Sequence, residues 1–138
     1  MLIVMILSGF ASSMWVWSER WSDVRISMND VYMTGLMTGW MFALMGLYTG
    51  VWNHFVGGAA AIAVSLILIR TQWFVSEQQY VKGMIPHHSM AVHMSNRLLK
   101  RSRNPQLASL VANLIQTQDA EIAMLKQIEL ALDVGSTE

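Results

Sequence analysis

The sequence predicts an all-α protein made of two unlike halves: about three membrane-spanning helices, then an amphipathic two-helix hairpin, half of a four-helix bundle. Three observations carry this. From Val31 to Ile69 there is no Asp, Glu, Lys or Arg, and none from Met1 to Ser18. Charge then returns abruptly: from Glu77 onward there are six acidic residues and six Lys or Arg. Beyond Pro105 the apolar residues recur at the 3.6-residue period of a half-buried helix. The boundary falls near Arg70 to Ser76, which divides the 138 residues into a membrane domain, 1–76, and a hairpin domain, 77–138.

The first helix is expected over about 1–17, an apolar run of minimal spanning length. It lacks the basic n-region of a cleavable signal, so a first span is the better reading. Trp15, Trp17 and Trp21 then fall where an interfacial aromatic belt belongs. The uncharged stretch Val31 to Ile69 is too long for one span. The stretch from Gly50 to Gly58 holds Asn53, His54 and the pair Gly57-Gly58 and so a tight turn, which predicts helices over about 30–51 and 55–74. Arg70 and Trp73 suit the interface at the end of the last one. Apart from Asp30 and Arg70 at their ends, no charge lies inside these spans, so proton or ion coupling gains no support.

Within the second span, Gly35, Gly39 and Ala43 recur every four residues and predict a close helix-packing face. Met33, Met37, Met41 and Met45 do the same on another face. Thioethers at that spacing fill gaps or meet lipid; the same ladder is chemically able to pass Cu(I) along a helix.

The hairpin's first helix is expected over about Glu77 to Arg101, with Pro86 in its first turn or kinking it. Asn104-Pro105 is a start signal, with Asn as N-cap and Pro at the first helical position. The second helix runs to about Leu132. Leu107, Leu110, Val111, Leu114, Gln118, Glu121, Ile122, Leu125, Ile128 and Leu132 share one face.

The chemistry concentrates between Met84 and Met94, where three of the four histidines and three of the twelve methionines lie. Met84, His87, His88, Ala91, Met94 and Leu98 share one broad helical face, with Met90 and His93 on the adjacent one as accessory ligands. Folding the hairpin at Arg103 sets His88 opposite Asp119, within a turn of Gln118 and Glu121, and Met84 opposite about Met124. Gln118 and Glu121 thus sit mid-face as partners for the imidazoles. With no Cys present, a soft-metal site must use thioether and imidazole, which suits Cu(I) and Ag(I) and not Zn(II). Paired Glu-x-x-His motifs are absent, which argues against a di-iron enzyme. Net charge is zero and the basic residues form no long run, so nucleic acid is an unsuitable partner.

These motifs resemble the family known as domain of unknown function 305. The family's pattern is roughly M-I-P-H-H-x-x-A-x-x-M, an x-P turn, then Q-x-x-E-I-x-x-M. Here it is met by Met84-Ile85-Pro86-His87-His88, Ala91, Met94, Asn104-Pro105 and Gln118-x-x-Glu121-Ile122. The final Met falls at 124, one residue nearer than in that pattern. The resemblance covers about Tyr80 to Leu132. It implies a ferritin-like helical fold and copper or silver binding for metal tolerance, with His87, His88 and Met94 as the best ligands and no organic cofactor. The chain also resembles a membrane-anchored branch of that family. Positive charge alone leans toward a cytoplasmic hairpin; the resemblance implies a bacterial inner membrane with the hairpin in the periplasm, and that orientation is adopted. A lone hairpin leaves apolar surface uncovered, so a homo-oligomer or a place in a membrane complex is expected. The rival reading is a structural accessory subunit of a larger membrane complex, without a metal role.

Overall fold

The computed structural model describes residues 1–135, which are helical apart from short connections. α1 spans Leu2–Ala11, α2 Met28–Thr49, α3 Trp52–Thr71, α4 Glu77–Leu99 and α5 Pro105–Gly135. Two short 3₁₀ turns, Met14–Trp17 and Trp21–Asp23, lie between α1 and α2. The chain forms two compact units. The first holds Met1–Ser13 and Met28–Val75; the second holds Met14–Ser27 and the chain from Ser76 onward.

In the first unit two helices are long and apolar enough to cross a membrane. α2 has 22 residues and α3 has 20, or about 33 and 30 Å at 1.5 Å per residue. Only 28% of the α2 window and 11% of the α3 window are buried, so neither is clothed like the core helix of a water-soluble domain. The predicted first span is shorter than expected. α1 has ten residues, about 15 Å, against a hydrocarbon core of about 30 Å. Ser8 and Ser12 turn their hydroxyls back onto the carbonyls of Val4 and Ser8, both at 2.7 Å. This competition with the helical ladder accompanies the break after Ala11.

The α2–α3 turn sits at Gly50, whose φ of 70° is left-handed and suits glycine. This falls within the stretch from Gly50 to Gly58 expected to turn, and Gly57 and Gly58 lie inside α3. Gly58 is where the two backbones meet: a Cβ there would stand 2.3 Å from the Ala43 nitrogen. One at Gly46 would stand 2.3 Å from the Phe55 nitrogen. Gly39 is buried against Ile62, and Gly35 faces the Ser65 hydroxyl. The small-residue stripe is therefore spent on α3 of the same chain and does not await a partner helix. At the other end, the Tyr32 hydroxyl donates to the Trp73 carbonyl, and Gln72 Nε2 bonds Asn29 Oδ1 at 3.2 Å.

In the second unit α4 and α5 form the expected antiparallel hairpin. Ser76 caps α4, accepting from the Gln79 amide. Asn104 Oδ1 caps α5, accepting from the amides of Gln106 and Leu107 at 3.0 and 3.1 Å. Pro86 lies in the interior of α4 rather than its first turn. The core is Val81, Ile85, Val92 and Ile122, with Ile115, Leu125 and Leu132 packed beside it. On α5 the inward residues Val111, Ile115, Gln118, Ile122, Leu125, Glu129 and Leu132 alternate in steps of four and three, the spacing of a helix–helix seam. Leu107, Leu110, Leu114 and Ile128, predicted on the same face, are exposed one position to the side. A single partner helix covers a narrow stripe, and the apolar face of α5 is wider than that.

The second unit also contains a segment the hydrophobic pattern does not assign to it. Residues 14–27 strap the hairpin through their polar side chains, and Asp23 is completely buried.

Close α2–α3 contact makes a paired prediction. Gly58→Ala should lower the stability of the first unit by about 1–3 kcal/mol, because the obstacle is backbone. Gly57→Ala, with open space around it, should leave stability unchanged or slightly raised. Thermal unfolding in detergent followed by circular dichroism tests this; equal midpoints for the two variants would contradict the packing.

Candidate metal centre

The hairpin brings part of the predicted ligand set into one pocket. A cavity of about 170 Å³ is lined by Tyr80, Met84, His88, Glu121, Met124, Leu125 and Ile128. Met84 lies one turn before His88 on α4, and Met124 lies three residues after Glu121 on α5. The antiparallel register therefore sets two thioethers and one imidazole around the same space.

His88 is held inside, its side chain 12% exposed. Its Nδ1 is 3.0 Å from Glu121 Oε2. That distance alone would suggest a hydrogen bond, but Nδ1 is a buried atom without a hydrogen-bond partner among the described residues. Contact without alignment is the consistent reading, since hydrogen bonds weaken steeply off axis. Burial pushes the His88 pKa down, and the nearby His87 ring adds to this; the Glu121 charge offsets part of it. The imidazole is thus kept neutral, with a lone pair to offer, to lower pH than a free histidine. Gln118 Nε2 donates to Glu121 Oε2 at 3.1 Å and steadies the carboxylate.

The other predicted ligands lie elsewhere. His87 is exposed, with its ring edge-on to His88 at a centroid distance of 5.8 Å. Met94 is 55% exposed and lines a separate groove with Trp17, His93, Arg97 and Arg101. His93 turns toward the strap, its Nδ1 2.6 Å from Glu19 Oε2. Met90 is half-buried and lines neither space. Among the described residues no group of three or more His, Cys, Asp or Glu is placed to hold a metal ion. A site at His88 would rest on thioethers.

A family model described as "Domain of unknown function (DUF305)" matches residues 70–131. The chain is also 35% identical over 133 residues to an uncharacterized protein, L153, of Acanthamoeba polyphaga mimivirus, covering 93% of this chain and 88% of that one. The chain belongs to the DUF305 family. No solved structure matches it. The family match covers α4 and most of α5, whereas the likeness to the viral protein extends through most of the first unit and the strap as well.

The strap of this DUF305 protein is what hydrophobic patterning alone missed. The Glu19 amide donates to Ser89 Oγ at 2.9 Å, and Ser89 Oγ donates to Asp23 Oδ2 at 2.8 Å. Lys126 Nζ donates to the other Asp23 oxygen. Arg25 grips Glu129 through Nε and Nη2, at 2.9 and 3.1 Å, and Arg20 pairs with Asp119 at 3.0 Å. Burial alone would raise the Asp23 pKa. Hydrogen bonds from Lys126 and Ser89, and the charges of Lys126 and Arg20, outweigh it and hold the carboxyl below its ordinary range. Burial opposes Glu19 likewise, and hydrogen bonds from His93 and Asn96 outweigh it. The alternation of sign along Glu19, Arg20, Asp23 and Arg25 against Asp119, Lys126 and Glu129 was the available signal.

Because the folded Asp23 carboxyl titrates below its unfolded value of 3.8, its stabilising effect is complete above that value. It is lost as pH falls through the lower folded value. Asp23→Asn should cost the second unit roughly 3 kcal/mol near neutrality, since it leaves Lys126 uncompensated. The variant should also lose part of the acid sensitivity below about pH 4. Thermal melts between neutral and acid pH measure both, and a neutral-pH melt identical to wild type would refute the clamp.

Proposed function

We propose that this protein is a membrane-anchored copper- and silver-binding protein that handles these metals outside the cytoplasm, by the route the DUF305 resemblance implies. The observation that supports it best is the His88 imidazole, 12% exposed, its pKa lowered by burial, in a pocket also lined by Met84 and Met124. Neutral imidazole and two thioethers fit Cu(I) or Ag(I). Glu121, steadied by Gln118, supplies a counter-charge at the pocket edge. When bound, the ion adds Lewis acidity and soft coordination; no reaction is proposed, and no organic cofactor.

The anchor is α2 with α3, and α1 lies along α2. The hairpin is half of a ferritin-like bundle. Tyr80, Met84, His87, Ala91 and Met94 follow a four-three alternation on the open side of α4, and Leu110, Leu114, Glu121, Met124 and Ile128 keep it on α5. Tyr80, Met94, Leu110 and Met124 are 54 to 63% exposed. A second copy laid on this seam completes a four-helix bundle and draws His87 and Met94 of both copies toward the metal pocket. Partners are thus the bilayer and a second copy, and nucleic acid has no place in the reading.

Native mass spectrometry of the detergent-solubilised chain with added Ag(I) reads metal and assembly together. The expected species is a dimer carrying silver at the hairpin. His87→Ala with His88→Ala should remove that silver with helicity retained, and Leu110→Glu should yield monomer. Unchanged silver in the histidine variant would sink the metal reading and favour a structural accessory subunit.

The compartment rests on the family resemblance, with the hairpin on the periplasmic side of a bacterial inner membrane. Reporters fused after residue 135 check it. Activity of a reporter that works only outside the cytoplasm is expected; activity of a cytoplasm-only reporter would reverse the orientation without touching the anchor.

A further inference from the structure

The first unit holds a second concentration of sulfur. α1 runs antiparallel along α2, with Gly9 against Thr34. Farther along, Met1 and Met5 of one helix and Met41 and Met45 of the other line one open groove of about 600 Å³. Each pair is spaced by four residues, so both thioethers of a pair project on the same face of their helix. Val4, Leu44 and Tyr48 complete the lining, and no imidazole, carboxylate or ammonium side chain belongs to it. Met5 is buried at 4% exposure, on a helix whose other side chains are mostly exposed.

We propose that this groove is a separate Cu(I) or Ag(I) site, with Met5, Met41 and Met45 as ligands and Met1 as a fourth. The choice of metal rests on the reading above; the donor set does not. Methionine used only for packing closes a gap, because its side chain is unbranched and adaptable. Here the gap stays open beside four of them. Thioethers are neutral and soft, so they select a soft monovalent ion and discriminate against Zn(II), Mg(II) and Ca(II), which want harder donors. The groove also lies toward the end of α2. Tyr48, 91% exposed, lies at that end, two residues before the turn at Gly50. An ion there, near a helix terminus, escapes the larger cost of a charge at mid-span.

The test uses the full chain in detergent, with Ag(I) as the probe and bound silver counted after gel filtration. The background is His87→Ala with His88→Ala, so that silver on the hairpin does not contribute. One silver per chain should remain, and copper loaded in its place should show only sulfur neighbours by X-ray absorption. Adding Met5→Leu, Met41→Leu and Met45→Leu, which preserve bulk, should remove it. If the triple variant does not fold, Met41→Leu alone should weaken silver binding roughly tenfold or more, the scale on which metal sites lose affinity when a supporting group is removed. A histidine variant that retains no silver, a triple variant that retains it all, or nitrogen in the copper shell would each overturn the proposal. The same methionine changes made with His87 and His88 present should remove one silver and leave the hairpin's, which separates this site's fate from that of the hairpin.

Discussion

The second unit depends on one buried carboxylate. Asp23 has no exposed surface, and both its oxygens are engaged, one by Ser89 of α4 and the other by Lys126 of α5. A charge removed from water is tolerable only with such partners. Because they come from different helices, the interaction ties the strap to both at once. Arg25 with the buried Glu129 adds a partly buried pair, and Arg20 with Asp119 a half-exposed one, along the same line. The Arg20–Asp119 pair contributes less, since exposed ion pairs are worth little singly. Asp23 sets the place, and the others align the segment around it.

With one side of the hairpin strapped by polar contacts, the chemistry falls to the other. α4 carries three rows of side chains. One, through Ile85 and Val92, faces α5; a second, through Ser89 and His93, faces the strap; the third, through Met84 and His87, is open, and Met94 at its end shares a groove with Trp17 of the strap. Met84 and Met124 flank the pocket on the open side, with His88 reaching it from the inward row. The division explains why His93, close in sequence to the other histidines, is bound to Glu19 and lies apart from His88. Neighbours in sequence on a helix point about 100° apart, and here adjacent directions meet entirely different surroundings.

The first unit solves burial in another way. Its helices have little polar surface to pair, so they gain contact by bringing backbones together at Gly58 and Gly46. Hydroxyls at Ser8, Thr49 and Thr71 are satisfied by carbonyls of their own helices. The two units therefore show two kinds of cohesion, close backbone packing in one and a heptad core with a charged clasp in the other.

The sequence by itself determined the all-α class, the α2–α3 pair, the hairpin with its Asn104 cap, the register that sets Met84 near Met124, and the DUF305 likeness. Each follows from periodicity, charge or local capping, which act over a few residues. Only the tertiary structure decided the rest. It shortened α1 to ten residues, set the α2–α3 turn at Gly50 with Gly57 and Gly58 inside α3, and used the glycine stripe within the chain. It separated Met94 and His93 from His88, and it gave residues 14–27 to the hairpin. The physical reason is common to all of these. A glycine reads alike as a turn or as a close contact, and an Asp reads alike as solvated or clasped. The distinction lies in side chains up to about a hundred residues away, as with Asp23 and Lys126, whose proximity no local pattern encodes.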